Sequence, residues 1–273
     1  EDVFERFEPE VFLTNLVDGG YVMVPFEVAQ RHGATALWWK DTRIRNRYAV
    51  LENSPYDRLT AVHALFETFQ SGEASTDVFS GPRDDAEAFL EEFEDGGVKP
   101  GYFERREDTF GSRIRTLLRS VSASATGGAS NFGPTNLATG LRDAFTKYRL
   151  AHGLFERPRD DERYVFFPLH AQPEPSTGIL APMFLNQVSA IEQVSRSVPI
   201  THKLYVKEHP RMFRDNPRGL DVYRTIDNLP NTRLIDVDVD SHALIEASDA
   251  VVTITGTPAL EAALHNKKEK MFC

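Results

Sequence analysis

The sequence is poor in the features that mark several special classes of protein. Its 273 residues include one cysteine, Cys273, which excludes a framework of disulfide bonds. No stretch approaches the roughly 18 consecutive apolar residues of a membrane-spanning helix. The first ten residues, EDVFERFEPE, are acidic and lack the basic and apolar regions of a signal peptide. The composition therefore favours an ordinary globular protein with a sizeable core.

Positive charge is also scarce. The chain has 31 basic residues against 41 acidic ones, a net charge of −10, and only 8 of the basic residues are lysines. An acidic surface repels nucleic acid and anionic membranes, so we expect no nucleic-acid partner. A local basic site for one phosphorylated ligand stays compatible with this balance.

The length predicts about two domains. We place the first at residues 1–152 and the second at 153–273. In the first, strands at 10–14 and 35–39 flank a helix at 21–32, a strand–helix–strand pattern typical of a parallel sheet. The rest of this half, 58–152, is predicted to be mainly helical. Its helices are predicted at 59–70, 84–95, 109–121 and 137–152, and a Gly-rich loop is predicted at 122–136.

The second half alternates strands and helices more regularly. We predict strands at 164–169, 203–207, 232–237 and 250–255 and the start of a fifth at 270. Helices are predicted at 183–197, 220–229 and 257–265. A further helix is predicted to begin with Ser241 as its N-cap. Four such alternations predict a doubly wound parallel sheet. The fold class is therefore α/β.

In open parallel sheets, ligands bind beyond the carboxyl ends of the strands. Polar residues follow each predicted strand, which points to this edge as the site. The four groups are 170–177, 208–211, Asp238 with Asp240, and 256–258 with Glu261 one helical turn further on.

The segment 253–261, TITGTPALE, turns from a strand into a helix through Gly256. If Thr257 is the N-cap, the free N–H groups and the helix dipole form an anion site with Thr255 and Gly256 beside it. The alternative is a simple capped turn without a ligand.

The segment Lys207-Glu208-His209-Pro210 places three ionisable residues after a buried strand. His209 could donate a hydrogen bond to a phosphate, and Lys207 could add a positive charge. Pro210 is expected to prevent a helix from starting there. The alternative is a Lys207–Glu208 surface pair beside a histidine with no ligand.

A third group consists of His170, Gln172, Glu174 and Ser176 in a loop stiffened by two prolines. Metal binding by His170, His209 and Glu174 is the rival interpretation, but no HxH, HExxH or cysteine spacing supports it, so we predict no metal site. The motifs GxSxG, GxxxxGK[ST] and GxGxxG are missing from the sequence.

Three segments in this order resemble the capsule polysaccharide biosynthesis proteins of bacteria and archaea. They are FFPLHAQPEPST at 166–177, LYVKEHPRM at 204–212 and TITGTPALEA at 253–262. That family includes transferases of the Kdo type and is related to sialic-acid and CDP-glycerol transferases. The segment TRIRNRY at 42–48 resembles the family less specifically.

The resemblance implies a GT-B-like fold of two Rossmann-like domains, with a nucleotide-activated sugar bound by the second. It implies that His209 and Pro210 contact phosphate or ribose and that Thr255, Gly256 and Thr257 hold phosphate. We assign Lys207 to the same binding site as a cation. The resemblance also implies that Glu261 binds ribose hydroxyls, and that His170, Gln172 and Glu174 line the cleft. We assign the catalytic roles to His170 and Glu174.

The expected activity is therefore transfer of a sugar from a CMP- or UDP-linked donor, without a separate cofactor, to a glycan or glycolipid acceptor. The general base is not identified; Asp18, Asp41 and Asp108 are the candidates. Alternatives are a nucleotide-sugar epimerase of the same fold and a non-catalytic polysaccharide assembly or export protein.

The expected location is the cytoplasm, with peripheral association at the inner face of the membrane as a further option. The missing initiator methionine and the abrupt end at Cys273 lead us to expect a fragment, with both domains incomplete.

Overall fold

The computed structural model describes residues 2–15, 20–41, 48–52, 60–73, 83–94, 153–174, 176–215 and 218–272. These residues form two compact units. The predicted boundary at 152, the predicted helices at 109–121 and 137–152 and the loop at 122–136 lie outside the described residues.

The first unit is built on a three-stranded sheet and also includes the segment Pro173–Pro182. Its helices and strands are α1 (Asp2–Phe7), β1 (Val11–Thr14), α2 (Gly20–Arg31), β2 (Thr35–Asp41), β3 (Tyr48–Glu52), α3 (Thr60–Gln70) and α4 (Arg83–Glu94). β1 pairs with β2 in parallel, which confirms the predicted strand–helix–strand arrangement. β3 pairs with β2 in the antiparallel direction and was not predicted.

The core of this unit lies between α2 and β2. Val22, Phe26 and Ala29 occupy one face of α2 and are buried with Ala36 and Trp38 of β2. Residues two apart on a strand share a face, which explains why Ala36 and Trp38 point together into the core. The α-helical spacing of the three α2 residues produces the matching stripe.

The second unit is a five-stranded, fully parallel sheet. Its elements are β4 (Tyr164–Pro168), α5 (Gln187–Ser197), β5 (Lys203–Lys207), α6 (Pro210–Asp215), α7 (Leu220–Asp227), β6 (Thr232–Ile235), α8 (Ser241–Ala247), β7 (Ala250–Thr253), α9 (Thr257–Leu264) and β8 (Lys268–Met271). The spatial order is β6-β5-β4-β7-β8. Numbered within the unit, this is 3-2-1-4-5, the order of a doubly wound Rossmann-type sheet. The predicted α/β class with parallel sheets is confirmed.

The central strands are apolar because both faces of the sheet are covered. Phe166, Tyr205 and Val251 are fully buried in neighbouring strands. Tyr164 stacks on Tyr205 with ring centroids 4.1 Å apart and an interplanar angle of 11°. The edge strand β8 differs, since all four of its residues are exposed. Its charged residues protect an edge from pairing with other chains, which explains a strand this polar.

Three local predictions about helix starts were wrong. Pro210 does not prevent a helix but begins α6, where its missing N–H is no loss because a first-turn N–H has no intrahelical partner. Asp240, not Ser241, is the N-cap of α8, and its carboxylate accepts from the backbone N–H of His242 at 2.8 Å. Gly256, not Thr257, is the N-cap of α9.

Candidate functional site

The strand order places the site more sharply than the sequence could. β4 and β7 are neighbours in the sheet, but they are the first and fourth strands of the unit in chain order. The chain therefore builds the sheet outward in opposite directions on the two sides of this pair. Ligands of doubly wound sheets bind beyond the carboxyl ends of the strands at this point. His170 follows β4, and the turn 254–256 follows β7. Two of the sequence-predicted groups of polar residues therefore meet at the expected crevice.

Gly256 shapes the turn that leads from β7 into α9. Its φ of 91° is a conformation that L side chains rarely adopt, so glycine is required. No side chain caps the helix at this point. An α-helix leaves its first N–H groups without intrahelical partners, and its dipole makes that end positive. The start of α9 thus has the properties of an anion site.

Thr255 supplies a second, independent feature of the same turn. Its side chain is buried, yet Oγ1 has no hydrogen-bond partner among the residues that the structure describes. A buried hydroxyl without a partner costs about 1–3 kcal/mol. In contrast, the neighbouring Thr253 hydroxyl donates to the carbonyl oxygen of Thr255 at 2.8 Å. An orphaned hydroxyl beside an uncapped helix start is what a ligand-binding turn would show without its ligand.

The side chain of His170 contacts this turn. This side chain is buried, and Nε2 lies 3.2 Å from Oγ1 of Thr253 and 3.4 Å from the backbone nitrogen of Thr255. The two contacts require opposite states of Nε2. The Thr253 contact needs an N–H on Nε2, because the Thr253 hydroxyl proton is already donated, whereas the Thr255 N–H needs a lone pair. The tautomer of His170 therefore determines how the turn is held.

The backbone of His170 is fixed as well. Its N–H donates to Oε1 of Gln187 at 2.8 Å, and its carbonyl accepts from Nε2 of the same side chain at 3.1 Å. Gln172, predicted to line the cleft, donates its amide to the carbonyl of Leu185 at 2.8 Å. Side-chain amides therefore help to hold the loop after β4.

Lys207 ends β5 and is buried. No carboxylate forms an ion pair with its ammonium group in the part of the chain that the structure describes. Burial lowers the pKa of Lys207 to about 8, although the negative charges of Asp240, Asp236 and Asp238 act in the opposite direction. A buried ammonium without an ion pair is unusual and costly.

Glu208 is not part of a surface pair with Lys207, so that alternative was wrong. Its carboxylate is completely buried and forms an ion pair with Arg218, with Nε 2.8 Å from Oε2. The Tyr223 hydroxyl donates to the same oxygen at 2.8 Å. Burial and the Glu208 charge both raise the pKa of Tyr223, so its hydroxyl remains a donor.

His209 and Pro210 begin α6. Nδ1 of His209 accepts from the backbone N–H of Arg211 at 3.1 Å, as an N-cap side chain does. In a neutral imidazole, a lone pair on Nδ1 places the proton on Nε2. His209 therefore presents Nε2 as its donor nitrogen, the group that the sequence analysis assigned to phosphate or ribose.

Glu261, Glu174 and the general-base candidates occupy other segments. Glu261 is half-buried in the second turn of α9, beyond Thr257 at its first position. Glu174 belongs to the segment Pro173–Pro182 of the first unit, where its carbonyl accepts from the N–H of Gly178 at 2.9 Å. Of the general-base candidates, Asp41 ends β2, whereas Asp18 and Asp108 lie outside the described residues.

Arg218 is the residue of this region that sequence reasoning missed. It lies ten positions beyond Glu208, in an irregular segment before α7, and no spacing rule connects the two. A basic residue in a Pro-Arg-Gly segment reads as an ordinary loop residue. Only the folded chain shows that it pairs with Glu208.

Among the residues that the structure describes, no group of three or more His, Cys, Asp or Glu side chains is arranged to hold a metal ion. No helix in the described part of the chain is long and apolar enough to cross a membrane.

No family model and no curated protein matches the sequence. Among solved structures, the chain is similar to KpsC from Thermosulfurimonas dismutans, a beta Kdo 2,7 transferase, at 15% identity and a TM-score of 0.46. It is also similar to the UDP-GlcNAc 2-epimerase from Neisseria meningitidis, solved with UDP-GlcNAc bound, at 12% identity and a TM-score of 0.28. The alignments cover 100% and 99% of this chain, and 68% and 60% of those chains.

Proposed function

We propose that the second unit binds the nucleotide part of an activated sugar beyond the carboxyl ends of β4, β5 and β7. We further propose that the protein is a GT-B-like glycosyltransferase of capsule or surface polysaccharide biosynthesis. The observation that carries the proposal is the orphaned buried hydroxyl of Thr255 beside the uncapped start of α9. Both lie at the switch point of a doubly wound sheet.

The residues have complementary roles in this proposal. Thr255, Gly256 and Thr257 hold a phosphate through the hydroxyl and the N–H groups of the first turn of α9. His209 donates from Nε2 to phosphate or ribose, with its direction set by the bond between Nδ1 and Arg211. Glu261 accepts from ribose hydroxyls.

Lys207 adds positive charge near the leaving phosphate. The negative charges of the loop after β6 act on the Lys207 ammonium group through space. In this proposal, Lys207 likewise attracts the phosphate at long range and does not form a direct ion pair with it. The helix dipole and Lys207 together would offset the charge that develops on the nucleotide as the sugar leaves.

In this proposal, His170 holds the turn between β7 and α9 in place for catalysis. Glu174 acts on the acceptor or the reacting sugar. The acceptor in this proposal is a glycan or glycolipid, and the protein works with a polysaccharide assembly machinery at the inner face of the membrane. The donor is CMP- or UDP-linked, and no separate cofactor takes part.

A ligand screen followed by a turnover assay tests the proposal. Thermal unfolding is measured with CMP, CDP and UDP; a ligand at 100 times its Kd adds about 2.7 kcal/mol of stability. Nucleotide release from CMP-Kdo and UDP-GlcNAc, with a lipid-linked glycan acceptor, then reports transfer. Formation of ManNAc from UDP-GlcNAc without acceptor would instead establish an epimerase. Binding without turnover would identify a non-catalytic protein, and no binding by any nucleotide would refute the proposal.

A further inference from the structure

Arg218 joins the ends of two strands. Nε donates to Oε2 of Glu208 at 2.8 Å, directly after β5. Nη1 donates to Oε1 of Gln172 at 2.7 Å, and Nη2 donates to the carbonyl oxygen of His170, both in the loop after β4. A planar guanidinium with donors in a fixed fork suits three acceptors that come from different segments.

Glu208 extends the same connection to His209. Its Oε1 accepts from the backbone N–H of His209 at 2.6 Å, and its Oε2 is shared by Arg218 and Tyr223. One chain of hydrogen bonds therefore runs from the carbonyl of His170 through Arg218 and Glu208 to the backbone of His209. It joins the two histidines of the proposed nucleotide site.

Stability alone does not account for this pair. A buried ion pair has a desolvation cost that often equals its Coulombic gain, and apolar replacements of similar size are commonly neutral or stabilising. Such a pair does fix geometry, because each charge has one satisfactory position among its partners. The Arg218–Glu208 pair lies between the loops after β4 and β5. The spacing of these loops matters for ligand binding, because both belong to the proposed site.

We propose that Arg218 is a positioning residue that sets the distance between the His170 and His209 loops, so that His209 and the turn that His170 contacts reach one nucleotide phosphate together. This inference rests on the proposed nucleotide site. Arg218 itself does not contact the nucleotide in this account; its side chain is 11% exposed, and each of its three nitrogens donates to a protein acceptor.

The second unit offers a matched control in Arg233. Its side chain is 16% exposed, and it donates twice to Glu162 and once to Glu156. Glu162 precedes β4, so this network lies toward the amino ends of the strands, away from the proposed site. Arg233→Lys removes a comparable fork geometry without touching the two histidine loops.

The test measures the Kd of CMP and UDP by calorimetry for the wild-type chain, Arg218→Lys, Arg218→Gln and Arg233→Lys. We expect Arg218→Gln to weaken binding at least tenfold and Arg218→Lys to weaken it less. Arg233→Lys should lower the Tm but leave Kd within twofold of the wild type. If Arg218→Gln does not fold, Arg218→Lys provides the comparison.

A double-mutant cycle separates positioning from a general loss of structure. If Arg218 acts through the His209 loop, its substitution has a much smaller effect on Kd in the His209→Ala background. Fully additive effects, or an unchanged Kd in Arg218→Lys and Arg218→Gln, would overturn the inference while leaving the nucleotide site in place. No binding of CMP or UDP by the wild-type chain would overturn both.

Discussion

The imidazole of His170 lies directly against Gly256. A methyl carbon at Gly256 would be 3.4 Å from Cε1 of His170, at the lower limit of ordinary van der Waals contact. The relationship joins the ends of β4 and β7, the two strands that border the switch point. It makes the proposed anion-binding turn depend on a residue 86 positions away in the chain.

Gly256→Ala is expected to destabilise the protein and to abolish nucleotide binding. The positive φ costs about 1–3 kcal/mol for an L residue, so the turn is expected to relax away from this conformation, with the new methyl already in contact with His170. Urea unfolding and calorimetry with UDP measure the two effects. Gly33→Ala is the control, because Gly33 has a φ of 80° with no atom within 4 Å of the added carbon. It should lower stability by the backbone cost alone and leave binding intact, and a loss of binding there would contradict the account.

Thr255→Val should separate function from stability. The hydroxyl has no hydrogen-bond partner among the described residues, so an apolar group of the same shape is expected to raise the free energy of unfolding by about 1 kcal/mol or more. The same change removes a phosphate donor and should weaken nucleotide binding. Thr253→Val is the control; it loses the bond to the Thr255 carbonyl and should destabilise. A Thr255→Val protein that is less stable and binds normally would argue against the assigned role.

Lys207 should make stability depend on pH in the alkaline range. Its pKa is about 8 in the folded protein and 10.5 by reference, so the unfolded chain binds more protons between these values. The free energy of unfolding therefore rises with pH across this window, by on the order of 3 kcal/mol, as the buried charge is lost.

Urea unfolding at pH 7.5 and pH 10 measures this effect as a difference between wild type and Lys207→Met. The rise should be missing in Lys207→Met and retained in Lys203→Met, a change of the same type at the half-buried start of the same strand. Equal pH dependence in wild type and Lys207→Met would show that the charge is not buried as described.

Tyr223→Phe should cost more stability than Tyr164→Phe. Both hydroxyls are donors in the second unit, but Tyr223 donates to the buried carboxylate of Glu208 and Tyr164 to the neutral carbonyl of Leu244. Bonds to charged groups contribute about 1.5–3 kcal/mol, against about 1 kcal/mol for neutral pairs. Equal losses in thermal unfolding would mean that the Glu208 carboxylate does not depend on Tyr223.

The second sheet could be predicted from sequence because its strands are buried on both faces. Continuous apolar runs such as 164–168 and 203–207 leave few alternatives, and helices between them require parallel pairing. The order of the strands could not be predicted in this way, since pairing depends on contacts between distant segments. β3 was missed because it follows a basic segment and pairs in the antiparallel direction.

The candidate site was predicted as three separate groups, and their connection was not. Strand ends indicated His170, His209 and Thr255, because polar residues follow apolar runs there. Arg218 was invisible, since an arginine in a loop gives no sign of a partner ten residues back. The Lys207–Glu208 pair was misread because adjacent opposite charges suggest a surface pair, whereas both side chains are buried and Glu208 pairs with Arg218.

The central claim is that a nucleotide binds at the turn between β7 and α9. Amide ¹⁵N NMR during titration with CMP and UDP tests it most directly, because every non-proline backbone N–H has its own signal. The account predicts that at least one nucleotide shifts the amides of Gly256, Thr257 and His209 most strongly, and that Thr255→Val weakens the response. Saturable shifts confined to other regions of the chain, or no shifts with either nucleotide, would contradict it.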